Sequence, residues 1–288
     1  MLNRIAMRLY TLLLLTVLLY GSPVISGTAK AHAQKKPKTT PITIGEEITF
    51  QSAILGESRT LNIYLPKGYS PDSVEGFPVI YLLDGSMDED FLHIAGLVDF
   101  ASFPWIGMLP PTIVVGIANV DRKRDFTYPT SLKQDQIDFP TTGKSAAFIE
   151  FLGREVQPLI QERYHCSGES TLIGQSLGGL LAAEVLLRQP ELFTHYIIIS
   201  PSLWWDDESL LKVPLPSWEG KKKLFVGVGK EGAIMEDSAR RLFEKLVGVP
   251  EAKRQLLHRQ FPDRGHGDVL HEAVYEAFES LFWEKKEE

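Results

Sequence analysis

Gly174-Gln175-Ser176-Leu177-Gly178 sets a serine between two glycines. A serine hydroxyl attacks only when a base takes its proton, so this chemistry needs an imidazole and a group to orient it. It also needs a tight turn. Thr171-Leu172-Ile173 reads as a strand and Leu180 onward as a helix. In a strand–turn–helix setting the flanking residues must be small, and the serine is lifted clear of the sheet at a helix N-terminus. The Leu177 N–H then faces a developing oxyanion. A bare G-x-S-x-G arises by chance in roughly one chain in ten of this length. The setting therefore carries the reading of Ser176 as nucleophile.

Where the nucleophile sits on such a turn, chain order runs serine, acid, histidine. Of seven histidines, His32 lies near the N-terminus, His93 and His165 precede the serine, and His195 begins a strand. His258 falls within the run Leu256 to Phe261, and His271 within the last helical pattern; both read as structural. His266 remains, in Pro262-Asp263-Arg264-Gly265-His266-Gly267. Its flanking glycines let the ring swing over the serine, so it is the expected base. For the acid, Glu231 follows the strand Lys223 to Val228 and its Gly229 directly. Glu236 and Asp237 are close rivals, and Asp206, Asp207 and Glu208 a further set. Position alone favours Glu231.

These residues need a sheet to hold them. Two strand candidates, Ile48 to Leu55 and Arg59 to Leu65, meet around Gly56 as a hairpin. Six short apolar runs follow: Phe77 to Leu83, Thr112 to Ala118, Ser170 to Gly174, Tyr196 to Ser200, Leu224 to Val228 and Leu256 to Phe261. Unbroken apolar runs imply strands buried on both faces, as in a parallel sheet. Helical spacing lies between them, at Phe148, Phe151, Leu152, Val156, Leu159 and Ile160, at Leu180 to Leu187, and from Val269 to Phe282 with Asp268 as N-cap. The expected class is α/β, a mostly parallel sheet with helices on both faces. Residues 119 to 142 read as a long irregular loop, a length that usually serves function.

The remaining composition narrows partners. Arg4 and Arg8, the apolar run Leu9 to Tyr20, and small-x-small sites at Ala29 to Ala33 make residues 1–33 a signal peptide or an uncleaved anchor. Residues 34–46 read as a flexible tail and 47–288 as one catalytic domain. The expected location is the periplasm or the medium, with no other membrane span. The formal charge is −7 over 288 residues; without Arg4, Arg8 and Lys30 it becomes −10. That disfavours nucleic acid as a partner. The single cysteine, Cys166, excludes an intramolecular disulfide and reads as packing. No His/Cys cluster has ligand spacing, so no metal or organic cofactor is expected.

Tyr81-Leu82-Leu83-Asp84-Gly85, Val114-Val115-Gly116-Ile117, the turn at Ser176 and Gly265-His266 together resemble the "Putative esterase" branch of the α/β hydrolases. That branch includes esterase D, feruloyl esterases, mycolyltransferases and siderophore esterases. Arg122-Lys123-Arg124-Asp125-Phe126-Thr127 and Ser200-Pro201-Ser202-Leu203-Trp204-Trp205 are similar to the siderophore-esterase subgroup, especially its periplasmic trilactone hydrolases. Gln175 departs from the histidine frequent at its position. The resemblance implies an α/β-hydrolase fold and carboxyl-ester hydrolysis through an acyl-enzyme on a small-molecule ester, of siderophore type. It also implies a second oxyanion donor at the Ser86 N–H, and a pocket lined or braced by Trp204 and Trp205. Arg124 is expected at the substrate. The alternatives are a short-acyl or feruloyl esterase, an acyltransferase, or a non-catalytic binding protein on the same fold.

Overall fold

The computed structural model describes residues 37–283. The signal-peptide segment expected over residues 1–33 lies outside the described residues. Residues 37–42 are exposed and belong to one unit, Met1–Ile42; a second, compact unit spans Thr43–Glu288. The expected tail gives way to a strand at Gly45. No helix among the described residues is long and apolar enough to cross a membrane.

Eight strands form one sheet: β1 (Gly45–Gln51), β2 (Ser58–Tyr64), β3 (Phe77–Leu82), β4 (Ile113–Ile117), β5 (Cys166–Gln175), β6 (His195–Ile199), β7 (Lys222–Gly229) and β8 (Arg254–Phe261). Their order is β1-β2-β4-β3-β5-β6-β7-β8. β1 pairs antiparallel with β2, and β2 with β4; every other pair is parallel. The apolar runs explain this. β4 and β6 are buried along their whole length, as strands covered on both faces must be. β1 lies at an edge and buries only Ile48.

Helices cover both faces. They are α1 (Phe91–Ala101), α2 (Arg122–Phe126), α3 (Lys133–Asp138), α4 (Ser145–Phe151), α5 (Gln157–Arg163), α6 (Leu177–Arg188), α7 (Ala233–Val247) and α8 (Val269–Ala277). On one face Phe91, Ile94 and Val98 of α1 and Val269, Ala273 and Val274 of α8 pack in one core. On the other, Phe148, Phe151, Leu180, Leu242 and Leu246 from α4, α6 and α7 share a second core. Residues 119 to 142 are not wholly irregular, since α2 and α3 lie within them. Asp121 caps α2, its carboxylate accepting from the Arg124 N–H at 3.0 Å. Asp268 stands at the N-cap position of α8 but makes no cap bond. Its Oδ1 accepts from the Gly265 N–H at 2.7 Å instead.

From β3 the chain steps outward to β4, then returns past β3 to β5. This reversal opens a crevice at the carboxyl ends of β3 and β5, where open α/β sheets collect ligands. Ser176 stands there, between β5 and α6, with φ 61° and ψ −122°. Its N–H donates to the Ile199 carbonyl at 3.1 Å. The turn tolerates no bulk: a Cβ on Gly174 would lie 2.3 Å from the Gly178 carbonyl oxygen, and one on Gly179 2.7 Å from that of Ile199. Gly174→Ala should therefore lower the urea midpoint, with an overpacking cost of roughly 1–3 kcal/mol. An unchanged midpoint would show that the turn relaxes freely.

Candidate active site

Asp84, Ser176 and Ser200 have φ of 56°, 61° and 42°. They lie just beyond the carboxyl ends of β3, β5 and β6, which are neighbours in the sheet. A non-glycine residue pays about 1–3 kcal/mol for such a conformation, and such strain clusters at functional sites. Three strained residues on adjacent strand ends mark one crevice.

Glu231 and His266 meet at that edge. The Glu231 side chain is 3% exposed and that of His266 48%. Glu231 Oε2 lies 2.5 Å from His266 Nδ1. Its Oε1 accepts from the Ser200 hydroxyl at 2.5 Å and the Gly229 N–H at 2.9 Å. Burial pushes the Glu231 carboxyl up, but hydrogen bonds from His266, Ser200 and Gly229 outweigh it and hold the group below its ordinary range. Gln175, next to Ser176, donates its side-chain amide to the His266 carbonyl at 2.5 Å. An ionised acid therefore fixes the imidazole, and the imidazole's backbone is tied beside the serine. Such an arrangement can deprotonate a hydroxyl and hold the imidazolium that results.

The rival carboxylates are engaged elsewhere. Glu236 Oε1 accepts from the N–H groups of Glu231 and Gly232, both at 2.9 Å. Asp237 pairs with Arg240, Asp207 with Lys212, and Glu208 with Arg241. Asp206 binds the Ser131 N–H at 2.7 Å. His258 stacks on Phe243, with centroids 5.4 Å apart.

Leu177 opens α6, so its N–H has no intrahelical acceptor. The Ser86 N–H, the other expected oxyanion donor, is already engaged: it donates to Glu89 Oε2 at 3.2 Å. Asn119 holds that carboxylate, its amide reaching Glu89 Oε1 at 2.9 Å and Asp84 Oδ1 at 2.7 Å.

One expected substrate contact, Arg124, needs correction, and Trp205 takes the bracing role of its pair. Arg124 does not face the crevice. Its Nε donates to Asp125 Oδ1 at 2.7 Å, and its terminal nitrogens bind Glu57. Arg59, with a side chain 0% exposed, completes this ion cluster at 2.7 Å from Asp125. Arg122 is the arginine at the site. It grips Asp84 through two bonds, 2.6 and 2.9 Å, and reaches the Gln175 carbonyl at 3.3 Å. Trp205 is 0% exposed and donates its indole N–H to the Tyr128 carbonyl at 2.9 Å. It braces the crevice wall and cannot touch a substrate. Trp204 is partly exposed and lies beside Phe139, with centroids 6.0 Å apart. Arg122 and Ser200 each sit in a motif the sequence singles out, though neither is marked there for its role, and Asn119 carries no signal of its own.

A cavity of about 490 Å³ lined by Ile44, Tyr64, Leu92 and Asp99 includes none of these residues.

Residues 52–284 match the family described as "Putative esterase". The chain belongs to this esterase family. It is similar to the ferri-bacillibactin esterase BesA of Bacillus subtilis, 30% identical over 78% of this chain and 86% of that protein. Among solved structures it is similar to the BES protein of Bacillus cereus, 28% identical with a TM-score of 0.75, over 87% of this chain and 99% of the other. It is likewise similar to an IroE-like serine hydrolase of Shewanella oneidensis, 29% identical with a TM-score of 0.72, over 83% and 80% of the two chains. The esterase is a serine hydrolase of the α/β-hydrolase fold that acts on carboxylic esters.

The esterase gathers negative charge on the β3–α1 side of its crevice. Burial, then Asp84 and Glu89, push the Asp90 carboxyl up to about 6, against a lowering pull from Arg122. Folding thus favours the protonated form. The cost is absent below the ordinary carboxylate range, near 3.9, grows as pH rises, and is complete above 6. Asp90 makes no side-chain cap bond to α1, so Asn loses nothing there. Asp90→Asn should raise the Tm at pH 7.5 and leave it unchanged at pH 4. Discounted for partial exposure, the gain is on the order of 1 kcal/mol, or about 2–4 °C. An equal gain at both pH values would remove ionisation as its cause.

Proposed function

We propose that the esterase hydrolyses a siderophore-type ester through an acyl-enzyme on Ser176, with His266 as base and Glu231 as the orienting acid. The observation that carries this reading is the chain Ser200–Glu231–His266, with His266 tied by its backbone to Gln175 beside the serine. Glu231 accepts a hydrogen bond from the Nδ1–H of His266 and leaves Nε2 free to take the hydroxyl proton of Ser176. The alkoxide attacks the ester carbonyl, and the Leu177 N–H stabilises the oxyanion. Ser86 supplies a second donor once the substrate oxygen displaces Glu89. His266 protonates the leaving alcohol, and water then repeats the cycle to release the acid. Trp204 offers the substrate an aromatic surface. Arg122 anchors Asp84 at the crevice floor.

The substrate class rests on the relatives, one of which is a ferri-bacillibactin esterase. Export rests on the N-terminal pattern of basic, apolar and small residues. The mature chain should then begin near His32 or Gln34, as intact mass of the extracytoplasmic form would show.

Ser176→Ala should lower turnover about 10⁴-fold or more and abolish labelling by a fluorophosphonate. Glu231→Gln should cost up to about 10⁴-fold through the wrong imidazole tautomer. The wild-type enzyme should hydrolyse catecholate trilactones, with or without iron, at a higher kcat/KM than simple aryl or feruloyl esters. Higher kcat/KM on the simple esters would refute the substrate class, and full activity in Ser176→Ala would refute the nucleophile.

A further inference from the structure

His93 is the third residue of α1 and His271 the third of α8, and the two rings meet between the helices. His271 Nδ1 lies 2.6 Å from His93 Nε2. The ring centroids are 4.6 Å apart and the planes cross at 70°. Both residues are exposed. Two neutral imidazoles in this geometry share one proton between facing nitrogens. We propose that His93 and His271 form a binding site for a divalent transition-metal ion, of the copper, nickel or zinc class, bridging α1 and α8.

The chemistry needs no oxidant and no change in net protonation. The shared proton moves to the other nitrogen of its own ring, and both facing nitrogens then offer lone pairs to the ion. Metal–imidazole bonds of about 2.0–2.1 Å set two such nitrogens roughly 3.0–3.4 Å apart. The rings must therefore open by less than about 1 Å, which exposed side chains achieve by rotation. The nearby acids are otherwise engaged: Glu272 and Asp268 with Arg264, and Glu89 with Asn119 and the Ser86 N–H. Among the described residues no group of three His, Cys, Asp or Glu could hold a metal ion. Water completes the shell, and affinity falls short of a closed structural site.

The position matters because of what the two helices carry. α1 follows the Asp84–Asp90 turn, and α8 follows the His266 loop. An ion between them stitches together the two arms that flank the crevice.

The test uses the full chain without an affinity tag, freed of metal by chelation and titrated calorimetrically with Cu²⁺, Ni²⁺ and Zn²⁺. One ion should bind per chain, copper most tightly. His93→Gln and His271→Gln should each weaken binding by at least about tenfold. The Tm of the wild type should rise with the ion, and that of either variant should not. As a measurement on the unmutated protein, the Cu²⁺ electron paramagnetic resonance spectrum should show two imidazole nitrogens. No binding by the wild type, undiminished binding in both variants, or a spectrum without two imidazoles would overturn the proposal.

Discussion

A carboxylate with a side chain 3% exposed must be neutralised or surrounded by donors, because burial penalises its charge. Glu231 takes the second course. Its three donors come from three places: Gly229 at the end of β7, Ser200 at the end of β6, and His266 on the loop after β8. The carboxylate thus sets the distance between three segments that chain connectivity leaves independent. Remove it, and the Ser200 hydroxyl and the Gly229 N–H lose their acceptor in a buried place, where an unmade hydrogen bond costs about 1–3 kcal/mol. Stability and site geometry are therefore coupled at this residue. The same bonds that keep Glu231 ionised also fix the tautomer of His266.

A second constraint acts from the other side of the crevice. Arg122 and Arg124 are two residues apart on the short helix α2, and a helix turns about 100° per residue. They therefore point in nearly opposite directions. Arg122 faces the strand ends and Asp84, while Arg124 faces β2 and joins Glu57, Arg59 and Asp125. The buried Arg59–Asp125 pair is weak evidence for net stability, because desolvation offsets its attraction. Its effect is directional, since it fixes the face α2 presents. One sequence motif therefore supplies a residue to the crevice and an anchor to the scaffold.

Much of this architecture is legible in the chain because its causes are local. Unbroken apolar runs give the strands, and the two glycines around Ser176 give the turn. Chain order narrows the histidines, and the glycine-flanked loop singles out His266 from His258 and His271. What is not legible depends on contacts distant in sequence. Nothing in Ser200 itself shows that it will meet Glu231, 31 residues on. His93 and His271 lie 178 residues apart. The choice between Arg122 and Arg124 needs the helix phase of α2, and a polar stretch with Pro129 and Pro140 hides so short a helix. Trp204 and Trp205 are adjacent and chemically equal, and only the packed wall sends one inward. Nor does Gln175 itself show that its amide will hold the carbonyl of His266, 91 residues on.

These pieces give the crevice an electrical direction. On the β3–α1 side stand Asp84, Glu89 and Asp90, with Arg122 as their cation. Burial first, and then the charges of Asp84 and Glu89, push the Asp90 carboxyl up, while Arg122 pulls it down. On the other side, the Ser202 N–H bonds the Ser176 carbonyl at 3.0 Å and ties the Trp204 segment to the turn. There Lys123 lies over the Phe139 ring, 4.8 Å from its centroid, and Phe139 flanks Trp204. An anionic group approaching Ser176 meets repulsion from the turn before α1, and a cation with aromatic surface where Lys123 of α2 lies over Phe139. Glu89 adds to the bias, because its carboxylate accepts from the Ser86 N–H at the same edge. The charge layout thus gives the two sides of the crevice opposite character.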